Sequence, residues 1–357
     1  MQSVVLVINP GSTSTKFAVF HGDRCIFDQT LNHSAEELSG FSTIASQYEF
    51  REKAIQEALK ERNFDMSSLN AVVGRGGLLH PIPGGIYRIN EAMKADLLAA
   101  RYGEHASNLG ALIADTFAKQ FGIPAFIVDP VVVDELEDVA RVSGHKLFKR
   151  ISIFHALNQK AVARRFAKER GINYEDITLI VAHLGGGISV GLHRKGRVID
   201  VNQALSGEGP FSPERSGTLP AADLARLCFS GQYTLQEVLK MITGKGGMVS
   251  FLGTNNMRDI EHMRDQGNKE ADFYFQAFVY QVGKYIGSLA PVVEGKVDAI
   301  ILTGGIAFWK EVTERISQMV SFIAPVVVYP GEGELEALAI AGQMALSGEA
   351  EVKEYVP

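Results

Sequence analysis

The sequence predicts an α/β protein of two similar domains, each a mixed β-sheet flanked by helices, and three observations carry that expectation. The order strand, small-residue turn, strand, turn, strand occurs twice. Apolar runs of strand length alternate with stretches of helical periodicity. At 357 residues the chain also exceeds one ordinary compact core, so two domains with a ligand-binding cleft between them are expected.

The first copy of the repeat runs VVLVIN, PGSTST, KFAVF, HGD and RCIFDQTL. The second runs TLIVAHL, GGG, ISVGL, HRKG and RVIDVNQAL. Small residues in the first turn of each copy allow backbone N–H groups to approach an anion closely. An ordinary β-hairpin accounts for either copy alone, because Gly and Ser favour turns for conformational reasons. The two together favour a polyphosphate site.

Other segments complete the alternation. FSTIASQYEFREKAIQEALKERN places Ile44, Tyr48, Ala54, Ile55, Ala58 and Leu59 at roughly helical spacing, and LNAVVGRGG reads as a strand entering a glycine loop. Helices are expected from Glu91 to Ala100 and from Asn108 to Phe121. AFIVD reads as a strand, HALNQKAVARRFAKERG as a helix closed by Gly171, VDAIILTGG as a strand and LEALAIAGQMAL as a terminal helix. No Pro- or Ser-rich linker marks a boundary. It is placed near Lys149, giving domains 1–149 and 150–335, with the terminal helix, about 336–357, a candidate to return to the first.

With 46% hydrophobic and 21% charged residues the composition is globular. A net charge of −6 disfavours nonspecific binding to nucleic acid or anionic membrane, so an anionic substrate requires a local positive cluster. The apolar stretch in MQSVVLVINPGS is too short to span a bilayer and lacks the basic segment of a secretory signal, so a cytoplasmic location is expected. Cys25 and Cys228 have no CxxC partner and read as free thiols.

NPGSTSTKF, GRGG at Gly74 to Gly77, IFHALN, HLGGGISV, PERSGTLP, NMRDI, LTGGI and GELEALAIAG, in this order over nearly the whole chain, resemble the acetate and butyrate kinase family. That resemblance implies duplicated domains of the actin-like ATPase, or ribonuclease H-like, type closing over ATP. Acetate kinases typically carry HRVVHGG, HLGNGSS and TRSGD where this chain has GRGGLLH, HLGGGIS and ERSGT, so the chain looks closer to the butyrate branch. Two bulky aliphatic positions of acetate kinases fall on Gly77 and Gly103, which with Phe154 implies a roomier acyl pocket. Each extra buried methylene is worth roughly 0.8 kcal/mol, so a longer acid is favoured. The expected reaction moves the γ-phosphoryl group of ATP onto a short-chain fatty acid, butyrate first. Alternatives are isobutyrate, propionate or acetate kinases, then a sugar kinase or a noncatalytic ATPase switch of the same fold.

A carboxylate acceptor is already ionised at neutral pH, so no general base is required and the task is to bring two anions together. Arginine suits that task, and the resemblance assigns catalytic roles to Arg75, Arg215 and His155. Asp129 is assigned to magnesium or substrate orientation and Glu336 to magnesium. Asn9, Ser12, Ser14 and Lys16 form the first phosphate loop; His183 with Gly185, Gly186 and Gly187 forms the second. Asn256, Arg258, Gly304, Gly305 and Ile306 fall where the family contacts the nucleoside, although acetate kinases usually have Asp at the position of Asn256. The family's habit also implies a homo-oligomer, a dimer or higher.

Overall fold

The computed structural model describes residues 3–357. Its strands are β1 (Val4–Pro10), β2 (Ser14–His21), β3 (Arg24–Asn32), β4 (Ala71–Arg75), β5 (Ile86–Arg88), β6 (Ala125–Val128), β7 (Thr178–Leu184), β8 (Ile188–Arg194), β9 (Arg197–Val201), β10 (Ala299–Gly304), β11 (Val326–Pro330) and β12 (Val352–Glu354). They form two sheets, ordered β12-β5-β6-β4-β1-β2-β3 and β11-β10-β7-β8-β9. The chain divides into two compact units, one running to Val133 and resuming over Gly333–Pro357, the other spanning Asp134–Glu332.

The division falls at Asp134 rather than near Lys149, and the contacts of the intervening segment explain why. The buried Glu135 accepts from Lys160 Nζ at 3.0 Å and from the Val198 N–H at 2.8 Å, and the Glu137 N–H donates to Ile199 O at 3.0 Å. These bonds attach the segment to the second unit.

In the first unit β1 is central, parallel to β4 and antiparallel to β2, and Val5 to Ile8 are fully buried. A continuous apolar run is needed there because helices cover both faces. Successive residues of β4 point opposite ways. A Cβ on Gly74 would lie 2.2 Å from Gly110 O of the helix Asn108–Phe121, so a glycine allows that helix to approach. The next residue back, Val73, faces Gly342 of the helix Glu334–Ser347, whose own Cβ would lie 2.8 Å from Val73 Cγ2.

The second unit repeats the plan, with β7 central between parallel β10 and antiparallel β8. One face packs Ala163, Phe166 and Ala167 of the helix Ala156–Arg170 against Leu179, Val181 and Ile301. The other packs Phe275, Phe278, Val282 and Ile286 of the helix Lys269–Leu289 against Ile180, Ala182 and Leu302. Gly171, at φ +67°, ends the helix Ala156–Arg170 in the left-handed conformation that glycine takes without strain. The expected strand RVIDVNQAL is shorter and stops at Val201. The buried Asn202 side chain turns in, accepting from Val190 N–H at 2.7 Å and donating to Ile188 O at 3.0 Å. Among the described residues no helix is long and apolar enough to cross a membrane.

Candidate functional site

In the first unit the turn after β1 brings Asn9 opposite Lys16 in the β1–β2 register, so both side chains lie on one face of the hairpin. Asn9 is buried, Ser14 is half-buried, and Ser12 and Lys16 are exposed. The turn closes with the Gly11 N–H donating to Ser14 O at 2.8 Å. Its shape is held from behind by a residue that the motifs did not single out, Arg51 of the helix Tyr48–Glu61. This guanidinium is 1% exposed and donates to Gly11 O at 2.7 Å, Ser12 O at 3.0 Å and Ser14 O at 3.0 Å. Further bonds reach Thr15 Oγ1 and Gln47 Oε1. Among the described residues it makes no ion pair, and burial alone pulls its pKa down. A positive charge without a carboxylate partner therefore sits directly behind the turn. Its sequence signal was available: Arg51 precedes the buried Ile55 and Ala58 by four and seven residues, a charge on an apolar stripe.

Arg75, at the end of β4, meets Asn9 and an acidic residue. Its Nη1 donates to Asn9 Oδ1 at 3.1 Å and to Glu334 Oε2 at 3.2 Å, and Asn9 Nδ2 donates to the same carboxylate oxygen at 2.6 Å. Glu334, not Glu336, thus joins the cluster. Two residues along a helix turn the side chain through roughly 200°, so Glu334 is buried while Glu336 is exposed. A partly buried ion pair of this kind adds little to stability because desolvation offsets much of the attraction. Its interest lies in gathering three polar residues from separate segments at the strand ends.

Asp129 follows β6 with φ +36°, and its Oδ1 accepts from the Gly85 N–H at 2.7 Å while its own N–H donates to Gly85 O at 3.0 Å. One carboxylate oxygen is thereby engaged by backbone. The glycines expected to enlarge an acyl pocket have local reasons of their own. A Cβ on Gly77 would lie 2.5 Å from Asn108 Oδ1, and that oxygen accepts from the Leu78 N–H at 2.8 Å while Asn108 Nδ2 donates to Gly103 O at 3.0 Å. The volume vacated at Gly77 is filled by Asn108. Gly103 has φ +121°, where L side chains are strained. Phe154, in the second unit, is buried immediately before His155.

In the second unit the loop Gly185–Gly187 follows β7, and the parallel strand β10 brings Gly304 beside it. A Cβ on Gly304, at φ +90°, would lie 2.4 Å from Leu184 O. Gly305 then opens a short 3₁₀ turn in which Ile306 is buried. Glycine loops at the carboxyl ends of adjacent parallel strands are a recurrent place for ligands. Asn256, by contrast, is exposed and caps the helix Met257–Asp265, accepting from the Arg258 N–H at 3.2 Å and donating to Asp259 Oδ1 at 2.9 Å. Arg258 is exposed in that first turn.

Arg215 lies on the second glycine loop. Ser212 Oγ donates to Gly186 O at 2.5 Å and accepts from the Arg215 N–H at 3.1 Å, docking one segment on the other. A Cβ on Gly187 would lie 2.0 Å from Arg215 Nη1, so only glycine leaves room for the guanidinium. Nη1 donates to Ala204 O at 2.7 Å, and Nε is the one buried side-chain nitrogen or oxygen among the described residues without a hydrogen-bond partner. Leaving a buried donor unpaired costs about 1–3 kcal/mol, more when it is charged. Burial lowers the pKa of this group, against which Glu214 acts in the raising direction.

His155 and His183 stack with ring centroids 3.8 Å apart and planes 8° from parallel. Nδ1 of His155 meets Ser189 Oγ at 2.8 Å, and Nδ1 of His183 meets Asn158 Oδ1 at 2.7 Å. Asn158 donates in turn to Glu332 O at 2.6 Å, tying the ring to the end of the second unit. Each unit therefore presents its own polar set: Asn9, Arg75 and Glu334 in the first, His155, His183, Arg215 and the glycine loops in the second.

Two units that repeat the same three-strand order, each with a small-residue turn after its central strand, define a duplicated α/β architecture. Solved structures share it: the acetate kinase of Porphyromonas gingivalis superposes with a TM-score of 0.77 at 19% identity, covering 97% of this chain and 100% of that one. The acetate kinase of Entamoeba histolytica gives 0.75 at 18% identity, over the same shares of the two chains. The acetokinase family model matches residues 139–324. Butyrate kinase 2 of Clostridium acetobutylicum is 57% identical over 99% of this chain and 100% of its own length, and a probable butyrate kinase of Listeria innocua is 52% identical over 98% and 99%. The chain belongs to the acetokinase family.

Proposed function

We propose that this protein phosphorylates a short-chain fatty acid, butyrate first, at the expense of ATP. A carboxylate oxygen attacks the γ-phosphorus, the bond to the β,γ-bridging oxygen breaks, and an acyl phosphate and ADP result; the reverse transfer makes ATP. The full-length identity to butyrate kinases supports the acid chosen. The observation that carries the chemistry is Arg215, a half-buried guanidinium lodged against Gly187 of the second glycine loop, a planar charged donor for an anionic oxygen. Arg75 supplies a second guanidinium, and His155 and His183 supply ring nitrogens, for an ionised acceptor and a transferring phosphoryl group. The similarity to butyrate kinases over nearly the whole chain favours a carboxylate over a sugar acceptor.

On this reading Ser12, Ser14 and Lys16, and Gly185 to Gly187, bind phosphate oxygens, and Gly304 to Ile306 approach the nucleoside. Mg²⁺ accompanies the nucleotide. That ion prefers oxygen ligands and keeps several waters, so one or two protein oxygens suffice. The Glu334 carboxylate and Asn9 Oδ1 are the oxygen donors suited to it, in place of the exposed Glu336. When bound, the ion neutralises charge on the phosphates. The same reading puts the protein in the cytoplasm as a homo-oligomer. Exposed apolar residues such as Phe229 and Leu235 favour self-association, which light scattering of the purified protein measures.

The test is Mg-ATP with each acid from acetate to hexanoate, trapping acyl phosphate with hydroxylamine. A kcat/KM maximum at butyrate is expected. No hydroxamate from any acid in the series overturns the proposal.

A further inference from the structure

We propose that Gln159 and Ser189 are positioning residues that fix the ring of His155 in the tautomer carrying its proton on Nε2. The inference deepens the functional reading, since it assigns what His155 offers a phosphoryl oxygen.

A backbone carbonyl only accepts, so the Gln159 side-chain atom 3.0 Å from Ser189 O is the amide nitrogen, and the Gln159 oxygen faces His193 Nε2 at 3.0 Å. That imidazole nitrogen must then carry hydrogen. His193 is fully buried and neutral: burial first, then the positive charges of Lys160 and Arg164, hold its pKa well below the usual range. Its Nδ1 is consequently the acceptor for the Tyr174 hydroxyl at 2.6 Å.

The relay continues toward the site. Gln159 Nε2 also donates to Ser189 Oγ at 2.8 Å, and the His155 backbone N–H approaches the same oxygen at 3.4 Å. With both lone pairs engaged, the hydroxyl has one hydrogen to give. Among the described residues its acceptor is His155 Nδ1, 2.8 Å away. A neutral His155 therefore holds its proton on Nε2 and presents a donor, which stabilises charge on a transferring phosphoryl group without moving a proton. Gly191 of β8 makes room for this arrangement, because a Cβ there would lie 2.4 Å from Gln159 Oε1. The stacked partner serves as an internal contrast. Asn158 Nδ2 donates to Glu332 O, so Asn158 Oδ1 faces His183 Nδ1, which must carry the proton.

The experiment is long-range ¹H–¹⁵N correlation of the ligand-free full chain labelled in histidine, at a pH alkaline enough for neutral rings, with His155→Gln and His183→Gln to assign signals. A protonated Nε2 in His155 and a protonated Nδ1 in His183 are expected. A protonated Nδ1 in neutral His155 overturns the proposal. Gln159→Glu replaces the amide donor by an acceptor, so the Ser189 hydroxyl turns away and accepts from His155 Nδ1–H. The tautomer should reverse, and losing a donor to a charged oxygen should lower kcat about 10- to 100-fold while KM values change less than about threefold. An unaltered tautomer in a folded Gln159→Glu protein also overturns it, and if that variant does not fold the parent spectrum decides alone. A fully active His155→Gln enzyme would remove the catalytic role of His155 while the tautomer still tested the relay, so the two failures are distinguishable.

Discussion

Replacing Arg51 by methionine should loosen the first phosphate turn and destabilise the unit that holds it. The substitution keeps most of the apolar stem and removes the donors to Gly11 O, Ser12 O and Ser14 O. Ser12 is exposed, so water replaces its bond at little cost; Gly11 and Ser14 are half-buried and lose more. Taking about 1–3 kcal/mol for each of those two carbonyls, and subtracting part for the guanidinium that no longer needs desolvating, gives a net loss of about 2–4 kcal/mol. For a unit of this size that lowers the first thermal transition by about 5–15 °C. Displacing phosphate contacts by about 1 Å should lower kcat/KM for ATP about 100-fold. Arg51→Lys retains charge but not the planar fork, and should fall between the two. Scanning calorimetry and steady-state kinetics on the three proteins decide the matter. An Arg51→Met enzyme with the parent's transition and parent's ATP kinetics would refute the reasoning.

Arg75→Ala and Arg215→Ala should each lower kcat by about 10²–10³-fold, the usual effect of removing one donor to transition-state charge; parental rates in both would remove them from the mechanism. Glu334→Gln should weaken Mg²⁺ binding, raising the metal concentration for half-maximal rate at least tenfold, about 1.4 kcal/mol, whereas Glu336→Gln should leave it unchanged, as read in a Mg²⁺ titration at fixed ATP. The neutral His193 binds a proton in the unfolded chain below its ordinary pKa of 6.5 that the folded chain does not take up until lower pH. Stability of the second unit should therefore be level above that pH and fall by up to about 1.4 kcal/mol per pH unit below it. Urea titrations from neutral to mildly acidic pH measure the slope, and an identical slope in His193→Gln would exclude this histidine as its source.

The central strands and the helices Tyr48–Glu61, Glu91–Leu98, Asn108–Phe121, Ala156–Arg170 and Glu334–Ser347 were legible from apolar runs of element length. β1 and β7 are continuous apolar runs, and the helix Asn108–Phe121 carries an unbroken buried stripe. The helices Ala221–Cys228, Leu235–Ile242, Met257–Asp265, Lys269–Leu289 and Lys310–Val320 were not read. The first two bury almost nothing, whereas Lys269–Leu289 buries Phe275, Phe278, Val282 and Ile286 at helical spacing, a pattern that the glycine and arginine motifs do not mark. The motifs singled out Asn9, Arg75, His155 and Arg215, and the acidic residue that meets Asn9 and Arg75 is Glu334 rather than Glu336. GELEALAIAG contains Glu334 and Glu336, and motif matching alone does not say which side chain the helix turns inward. Gly77 was misread for a related reason. A missing side chain implies space only until the neighbour that fills it, here Asn108, is known.

The duplication extends to backbone topology but not to the means of support. In both units the element after a central strand is braced by a polar side chain from the buried face of a helix, Arg51 in the first and Gln159 in the second. Arg51 is a cation gripping carbonyl oxygens, which stiffens the turn and leaves a positive charge behind it without a carboxylate to cancel it. Gln159 is neutral and passes hydrogen-bond direction from Tyr174 and His193 to Ser189 and His155. The first device suits holding an anion at rest, since a fixed charge favours every bound state. The second suits a group whose charge grows during transfer, since an oriented donor strengthens as its acceptor becomes more negative. The two units thus support corresponding turns by different means, a buried cation behind the first and a neutral hydrogen-bond relay beside the second.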